Sequence, residues 1–284
     1  MSVAPRIILL DIDGTLLGNV VPVVCEWELL RQFDKGKLKN FKENFRKSLE
    51  QGLLRTGISE FLDYLKTDNS HTEIFIYTAG DKSWVNVIIP MIEVYTHFKF
   101  NRPLFTRDHC INIKNLGVMK SIARVAPMIV RKLHSQYPYL TKAAVMESAV
   151  LIDNSHVIIP QEKYRMIKVP TYNYIYHYDV LKYVEHRVVV EHYLEICKVL
   201  VAYGLYPDNK ELSSCQMSYD SFMAYYYMHL AGLYKKQHKE SMSQGSKSDN
   251  TFHTIIKAMI KYKHFAFTDK TVRHLNYVLG QKGT

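Results

Sequence analysis

The sequence predicts an α/β fold in three layers, a parallel sheet covered on both faces by helices. Three segments carry that prediction: RIILLD (6–11), EIFIYT (73–78) and AVLID (149–153). Each is nearly continuous in apolar character and rich in branched side chains, as a strand buried on both faces must be. Helical patterns lie between them, and strands alternating with helices imply parallel strands joined by crossovers. Each segment also stops at a polar residue, namely Asp11, Thr78 and Asp153. Ligands of such sheets bind beyond the carboxyl ends of the strands, so these three side chains are expected in one crevice.

The elements follow in order. Residues 17–55 form a basic, weakly periodic insertion next to the first strand, read as a small cap or flap that is helical in its second half. GISEFLDYLK places Ile58, Phe61, Leu62 and Leu65 on one stripe, the pattern of an amphipathic helix. From about 179 onward the pattern is helical, through DVLKYVEHRVVVEHYLEICKVLVAYG, YDSFMAYYYMHLAGLYKKQHK and TFHTIIKAMIKYKHF. HKESMSQGSKSDN (238–250) is polar and Ser-rich, and reads as a mobile loop. In TYNYIYHYDV, Tyr172, Tyr174, Tyr176 and Tyr178 recur at spacing two. This suits a half-buried strand under the helical tail, with a base-stacking platform as the sharper alternative. The expected domains are 1–200, containing the 17–55 insertion, and a helical C-terminal extension over 201–284.

Bulk properties narrow the class. A hydrophobic content of 47% with 23% charged residues is that of a globular chain rather than a disordered one. No apolar run is long enough to cross a bilayer, and MSVAPRIILLD is too short in apolar character for a secretory signal. Cys25, Cys110, Cys197 and Cys215 are scattered without CxxC spacing, which predicts reduced thiols in a cytoplasmic or nuclear setting and no zinc site. The formal charge of +10 favours phosphorylated or polyanionic partners. The basic runs LYKKQHK and IKYKH suit a nucleic-acid surface or a solvated helix face equally. HCINIKNL opens like the loop of a cysteine-dependent phosphatase, but position 116 is Leu where that chemistry needs Arg, so the reading is rejected.

The carboxylate pair in IILLDIDGTLLG has a chemical reading. Asp11 ends a strand and its oxygen can attack a phosphoryl phosphorus, forming an aspartyl-phosphate. Asp13 stands where the backbone turns, placed to protonate the leaving oxygen and then to take a proton from water. Gly14 frees the turn and Thr15 can hydrogen-bond across it. Carboxylates repel phosphate, so the reading requires a cation, and Mg²⁺ suits one or two carboxylates with water and a phosphate oxygen.

DIDGT resembles the first motif of the haloacid dehalogenase-like (HAD) phosphohydrolase superfamily, with Asp11 as nucleophile and Asp13 as acid/base and, through its carbonyl, metal ligand. EIFIYTAG resembles the second motif, which gives Thr78 the transferring phosphoryl group. VLIDNS resembles the fourth, which places Asn154 on Mg²⁺ with Asp153 in support. The third motif is a phosphate-neutralising Lys, and KSIARV at Lys120 resembles its helix-opening form more closely than KNLGVM at Lys114. RTGISEFLDYL (55–65), YTAG…W…VIIP and LFTRDHC (104–110) are similar to the RNA polymerase II C-terminal-domain phosphatase-like (NLI-interacting-factor-like) branch. That branch implies a substrate-phosphate role for Arg107. The resemblance spans about 6–200 and extends to proteins of large DNA viruses. Departures are Thr56 in place of Pro, His156 after DNS, and a longer stretch from Lys120 to Asp153.

The resemblance thus implies a Mg²⁺-dependent phosphatase acting on phosphoserine or phosphothreonine in proteins. A nucleotide or nucleic-acid-end phosphatase is a second reading, and a non-catalytic binding protein on the same fold a third.

Overall fold

The computed structural model describes residues 5–67, 71–175, 179–207, 217–243, 249–261 and 267–280. Its strands are β1 (Arg6–Leu10), β2 (Thr72–Tyr77), β3 (Asn101–Phe105), β4 (Ile111–Ile113), β5 (Gly117–Met119), β6 (Ala149–Asp153) and β7 (Met166–Lys168). The helices begin with α1 (Val21–Phe33), α2 (Leu38–Ser48), α3 (Ile58–Thr67), α4 (Lys82–Thr96) and α5 (Ile122–Leu133). They continue with α6 (Lys142–Ser148), α7 (His186–Ala202), α8 (Tyr219–Ser243), α9 (Thr251–Lys261) and α10 (Asp269–Val278).

Five strands form one parallel sheet in the order β3-β2-β1-β6-β7, and β4 and β5 make a separate hairpin. This is the helix-flanked parallel sheet that the sequence predicts. The three segments read from the sequence are the three central strands, β1, β2 and β6. β1 is fully buried, and its alternate residues serve opposite faces. Ile7 and Leu9 join Phe75, Tyr77 and Phe105 in one core with Ile122, Val125, Ile129 and Leu133 of α5. Ile8, Leu10, Ile74 and Ile76 stand at the intervening positions and are equally buried, so both faces are covered. The edge strand β7 is closed off by α10. Asn276 accepts from the Lys168 N–H at 2.8 Å and donates to the Met166 carbonyl at 2.9 Å.

The chain divides into two compact units. The larger comprises Met1–Gly18, Leu54–Asn173 and Asp249–Thr284, and the smaller comprises Asn19–Leu53 and Tyr174–Ser248. A boundary at residue 200 is therefore not where the units part. Within the larger unit, the chain leaves at Gly18 and returns at Leu54 through a bridge between Leu17 and Leu54. Its last stretch packs back on it, with the ring of Phe252 in α9 tilted against that of Phe61 in α3 at 5.1 Å. The smaller unit is helical, and both halves of the 17–55 insertion fold: Asn19 accepts from the Val21 N–H to open α1, and Phe41 and Phe45 bury one face of α2.

Two further expectations are corrected. α8 runs to Ser243, through the first half of the predicted loop, because Lys, Glu and Met continue a helix readily; 244–248 lie outside the described residues. Tyr172 and Tyr174 are not in a strand, since the backbone there serves a turn: the Tyr172 N–H donates to the Gly14 carbonyl at 2.8 Å. Tyr176, Tyr178 and Cys215 lie outside the described residues.

Candidate active site

The sheet register brings the polar strand ends together. Leu10 pairs with Ile76 on one side and with Ile152 on the other, so Asp11 and Asp153 emerge side by side at the switch point of the sheet. Thr78 emerges one residue beyond β2. Asp11, Thr78 and Asp153 are all buried.

Beyond β1 the chain turns sharply. The N–H groups of Thr15, Leu16 and Leu17 all converge on the Ile12 carbonyl, and Gly14 takes φ +72° to allow it. A Cβ on Gly14 would stand 2.6 Å from Nδ2 of Asn154, so only glycine lets that amide lie against the turn. The Thr15 hydroxyl accepts from the Asn154 N–H at 3.0 Å and donates to Asn154 Oδ1 at 3.1 Å. Thr171 takes a bond from Asn154 Nδ2 at 3.2 Å.

Lys120 is almost fully buried, with its ammonium 2.5 Å from Asp11 Oδ1 and 2.6 Å from Asp153 Oδ2. The other Asp153 oxygen accepts from the Ser155 N–H and hydroxyl. Lys114 is exposed in the turn between β4 and β5. The backbone of Lys120 is bridged to Ile158, and Ser121 then caps α5 by accepting from the Arg124 N–H. Glu162 completes that helix start, accepting from Ser121 Oγ and from the N–H groups of Ile122 and Ala123. Tyr77 ties the same corner: its hydroxyl accepts from the Ser121 N–H and its ring lies 5.8 Å from Lys120 Nζ.

Burial raises the Asp11 carboxyl to about 7, opposed by the Lys120 ammonium and reinforced by Asp153 and Asp13. Burial would lower the pKa of Lys120, but Asp11 and Asp153 outweigh it and hold the ammonium charged. Asp13 opens to solvent, yet the packed protein behind it raises its carboxyl to about 6, against the pull of Lys120. Burial also raises the Cys110 thiol, which suits a packed side chain and not a nucleophile.

The Thr78 hydroxyl accepts from the Gly80 N–H at 3.1 Å, which leaves its own proton for a ligand. Arg107 donates through Nε to the Ala79 carbonyl at 2.8 Å and through its backbone N–H to the Gly80 carbonyl, and its exposed guanidinium pairs with Asp81 at 3.8 Å. Among the described residues no three His, Cys, Asp or Glu side chains form a metal cluster. A magnesium site needs none, since one or two carboxylates with amide, carbonyl and water oxygens suffice. Asp11, Asp13 and Asn154 offer such hard oxygens beyond the ends of β1 and β6.

The sequence reading missed Tyr77, Glu162 and also Arg55, whose backbone N–H donates to the Leu16 carbonyl of the turn after β1. Arg55 opens the quoted RTGISEFLDYL segment, which was the available signal; Glu162 has none, being 40 residues from the N–H groups it receives.

The family model for NLI interacting factor-like phosphatase matches residues 6–193. No curated protein matches the chain. Among solved structures, the beryllium-fluoride-bound form of a fission yeast RNA polymerase II CTD phosphatase Fcp1 variant is 17% identical at a TM-score of 0.36, covering 91% of this chain and 71% of that one. A second Fcp1 structure is 16% identical at a TM-score of 0.34, with the same coverages. The family match takes in more than half of the chain and every residue of the crevice described above, and on that ground this protein belongs to the NLI interacting factor-like phosphatases.

Proposed function

We propose that the chain is a Mg²⁺-dependent phosphomonoester hydrolase that works through an aspartyl-phosphate and acts on phosphoserine or phosphothreonine in proteins. The supporting observation is Lys120, buried between Asp11 and Asp153 at the switch point of the sheet. A packed scaffold has no use for two buried acids on one ammonium, whereas phosphoryl transfer needs a nucleophile and a fixed positive charge beside it.

In the first step an Asp11 oxygen forms a bond to phosphorus as the ester P–O bond breaks. Asp13 gives its proton to the departing alkoxide. In the second step water attacks the same phosphorus, Asp13 takes back a proton, and the Asp11 carboxylate departs from inorganic phosphate. Thr78 donates to a phosphoryl oxygen, and Lys120 and Arg107 face the phosphate charge. Asp11, the carbonyl of Asp13 and Asn154 would hold the magnesium ion, with Asp153 orienting Lys120 and the loop to Ser155. Bound there, the ion offsets the repulsion between phosphate and carboxylates.

Release of phosphate from phosphoserine and phosphothreonine peptides, nucleotides, 3′- and 5′-phosphorylated oligonucleotides and p-nitrophenyl phosphate tests the reading. Peptides should be preferred, activity should require Mg²⁺, and Asp11→Asn should lose about a thousandfold or more in kcat. Full turnover by Asp11→Asn would overturn the nucleophile, and preference for oligonucleotide ends would replace the substrate class. Among the described residues no helix is long and apolar enough to cross a membrane.

A further inference from the structure

Among the described residues, Arg55 is the bulkiest fully buried side chain of the larger unit, and it faces the turn after β1. Its backbone N–H donates to the Leu16 carbonyl at 3.0 Å, and its Nη1 lies 3.4 Å from the Gly14 carbonyl and 3.5 Å from the Thr15 carbonyl. One residue thus addresses three successive carbonyls of the turn that carries Asp13. The two contacts from Nη1 are long, so they hold the turn only if the guanidinium itself is fixed.

What fixes it comes from nearly two hundred residues away. Asp249 accepts from Nε at 2.7 Å and from Nη2 at 3.4 Å, a forked arrangement that sets the plane of the guanidinium. Thr251 Oγ1 accepts from Nη2 at 3.0 Å. Asp249 Oδ1 also accepts from the Thr251 N–H, which locks the two partners to each other at the start of α9. The rings of Tyr172 and Phe252 lie 5.5 and 5.7 Å from the guanidinium carbon. At Gly57 a Cβ would stand 3.0 Å from His253, so this stretch is seated closely on the unit. Burial disfavours the Arg55 charge and Asp249 opposes that effect. Both partners lie beyond residue 193, where the family match ends.

We propose that Asp249 and Thr251 are positioning residues for phosphoryl transfer: they fix the Arg55 guanidinium, which in turn fixes the Gly14–Leu16 carbonyls and with them Asp11 and Asp13. The proposal rests on Asp11 and Asp13 being the reacting acids. The C-terminal stretch is then part of the catalytic apparatus rather than an appendage to it.

The test uses the full chain with Asp249→Asn, Asp249→Glu and Thr251→Val. Steady-state hydrolysis of p-nitrophenyl phosphate is measured alongside hydrogen exchange at the amides of Thr15, Leu16 and Leu17. Asp249→Asn should lower kcat per folded molecule by about tenfold to a hundredfold with KM within about twofold, the pattern of misplaced reacting groups. Its turn amides should lose protection while those of β1 keep theirs. Asp249→Glu should recover part of both, and Thr251→Val, the milder lesion, should show the same pattern at several-fold. Unchanged kcat per folded molecule in Asp249→Asn and Thr251→Val, with Asp11→Asn inactive, would overturn the proposal. So would wild-type protection of the turn amides. Should Asp11→Asn keep turnover, the reading of the reaction fails instead, and amide protection still decides the clamp.

Discussion

Thr15 and Asn154 bond to each other twice, once through the Asn154 backbone and once through its side chain, and so join the turn after β1 to the end of β6. Thr15→Val removes both bonds and leaves the half-buried Asn154 N–H without its acceptor. It should cost about 1–3 kcal/mol in urea unfolding and at least about tenfold in kcat. Thr15→Ser keeps the hydroxyl and should stay within about threefold of wild type.

Gly14 and Gly117 provide a matched pair. Both have positive φ, +72° and +76°, but a Cβ on Gly117 would meet nothing within 4 Å, whereas one on Gly14 would strike Asn154. Alanine at either position should cost about 1 kcal/mol of backbone strain. Only Gly14→Ala should also displace Asn154 and abolish activity, read from melting temperatures and p-nitrophenyl phosphate turnover on both variants.

Glu162 receives two N–H groups at the start of α5 and the Ser121 hydroxyl, directly after Lys120. Glu162→Gln removes the charge and turns one acceptor into a donor. A loss of about 1–3 kcal/mol is expected, together with a smaller fall in kcat as Lys120 loosens. Thermal unfolding and steady-state kinetics on one preparation would check both.

Glu26 in α1 is buried beside Asn44, which donates to it at 3.1 Å, and burial raises its carboxyl to about 7. The folded value lies above the unfolded value of 4.5. Its contribution to stability is therefore complete below pH 4.5 and lost as pH rises through 7. Glu26→Gln should abolish that loss, making the smaller unit more stable than wild type by about 2–3 kcal/mol at pH 8, with little difference at pH 4.5. Trp27, the neighbouring residue, reports it by fluorescence once Trp84 is replaced by Phe.

The central strands were legible because burial on both faces leaves an unbroken apolar run, as in RIILL, and because each run stops at an acid or hydroxyl. β3, reading NRPLF, and the three residues of β7 are edge strands that carry no such run. Asn276 closes β7 only because α10 arrives there, and the local sequence says nothing of that arrival. Of the site, Asp11, Asp13, Thr78, Asn154 and Asp153 could be placed from motif order. Lys120 was preferred to Lys114 because KSIARV resembles the helix-opening motif more closely, and Lys120 is the lysine that lies buried beside Asp11 and Asp153. The Arg55–Asp249 pair spans 194 residues, a separation at which no periodicity or propensity operates.

The interleaving of the two units also bears on how the protein is made. A ribosome delivers the last stretch of the smaller unit by residue 248, whereas the larger unit still lacks Asp249–Thr284. The helical unit therefore has its full complement of chain first, although its partner was begun before it. Until residues 249–251 emerge, the Arg55 guanidinium lacks Asp249 and Thr251, the two side chains that accept from it across nearly two hundred residues.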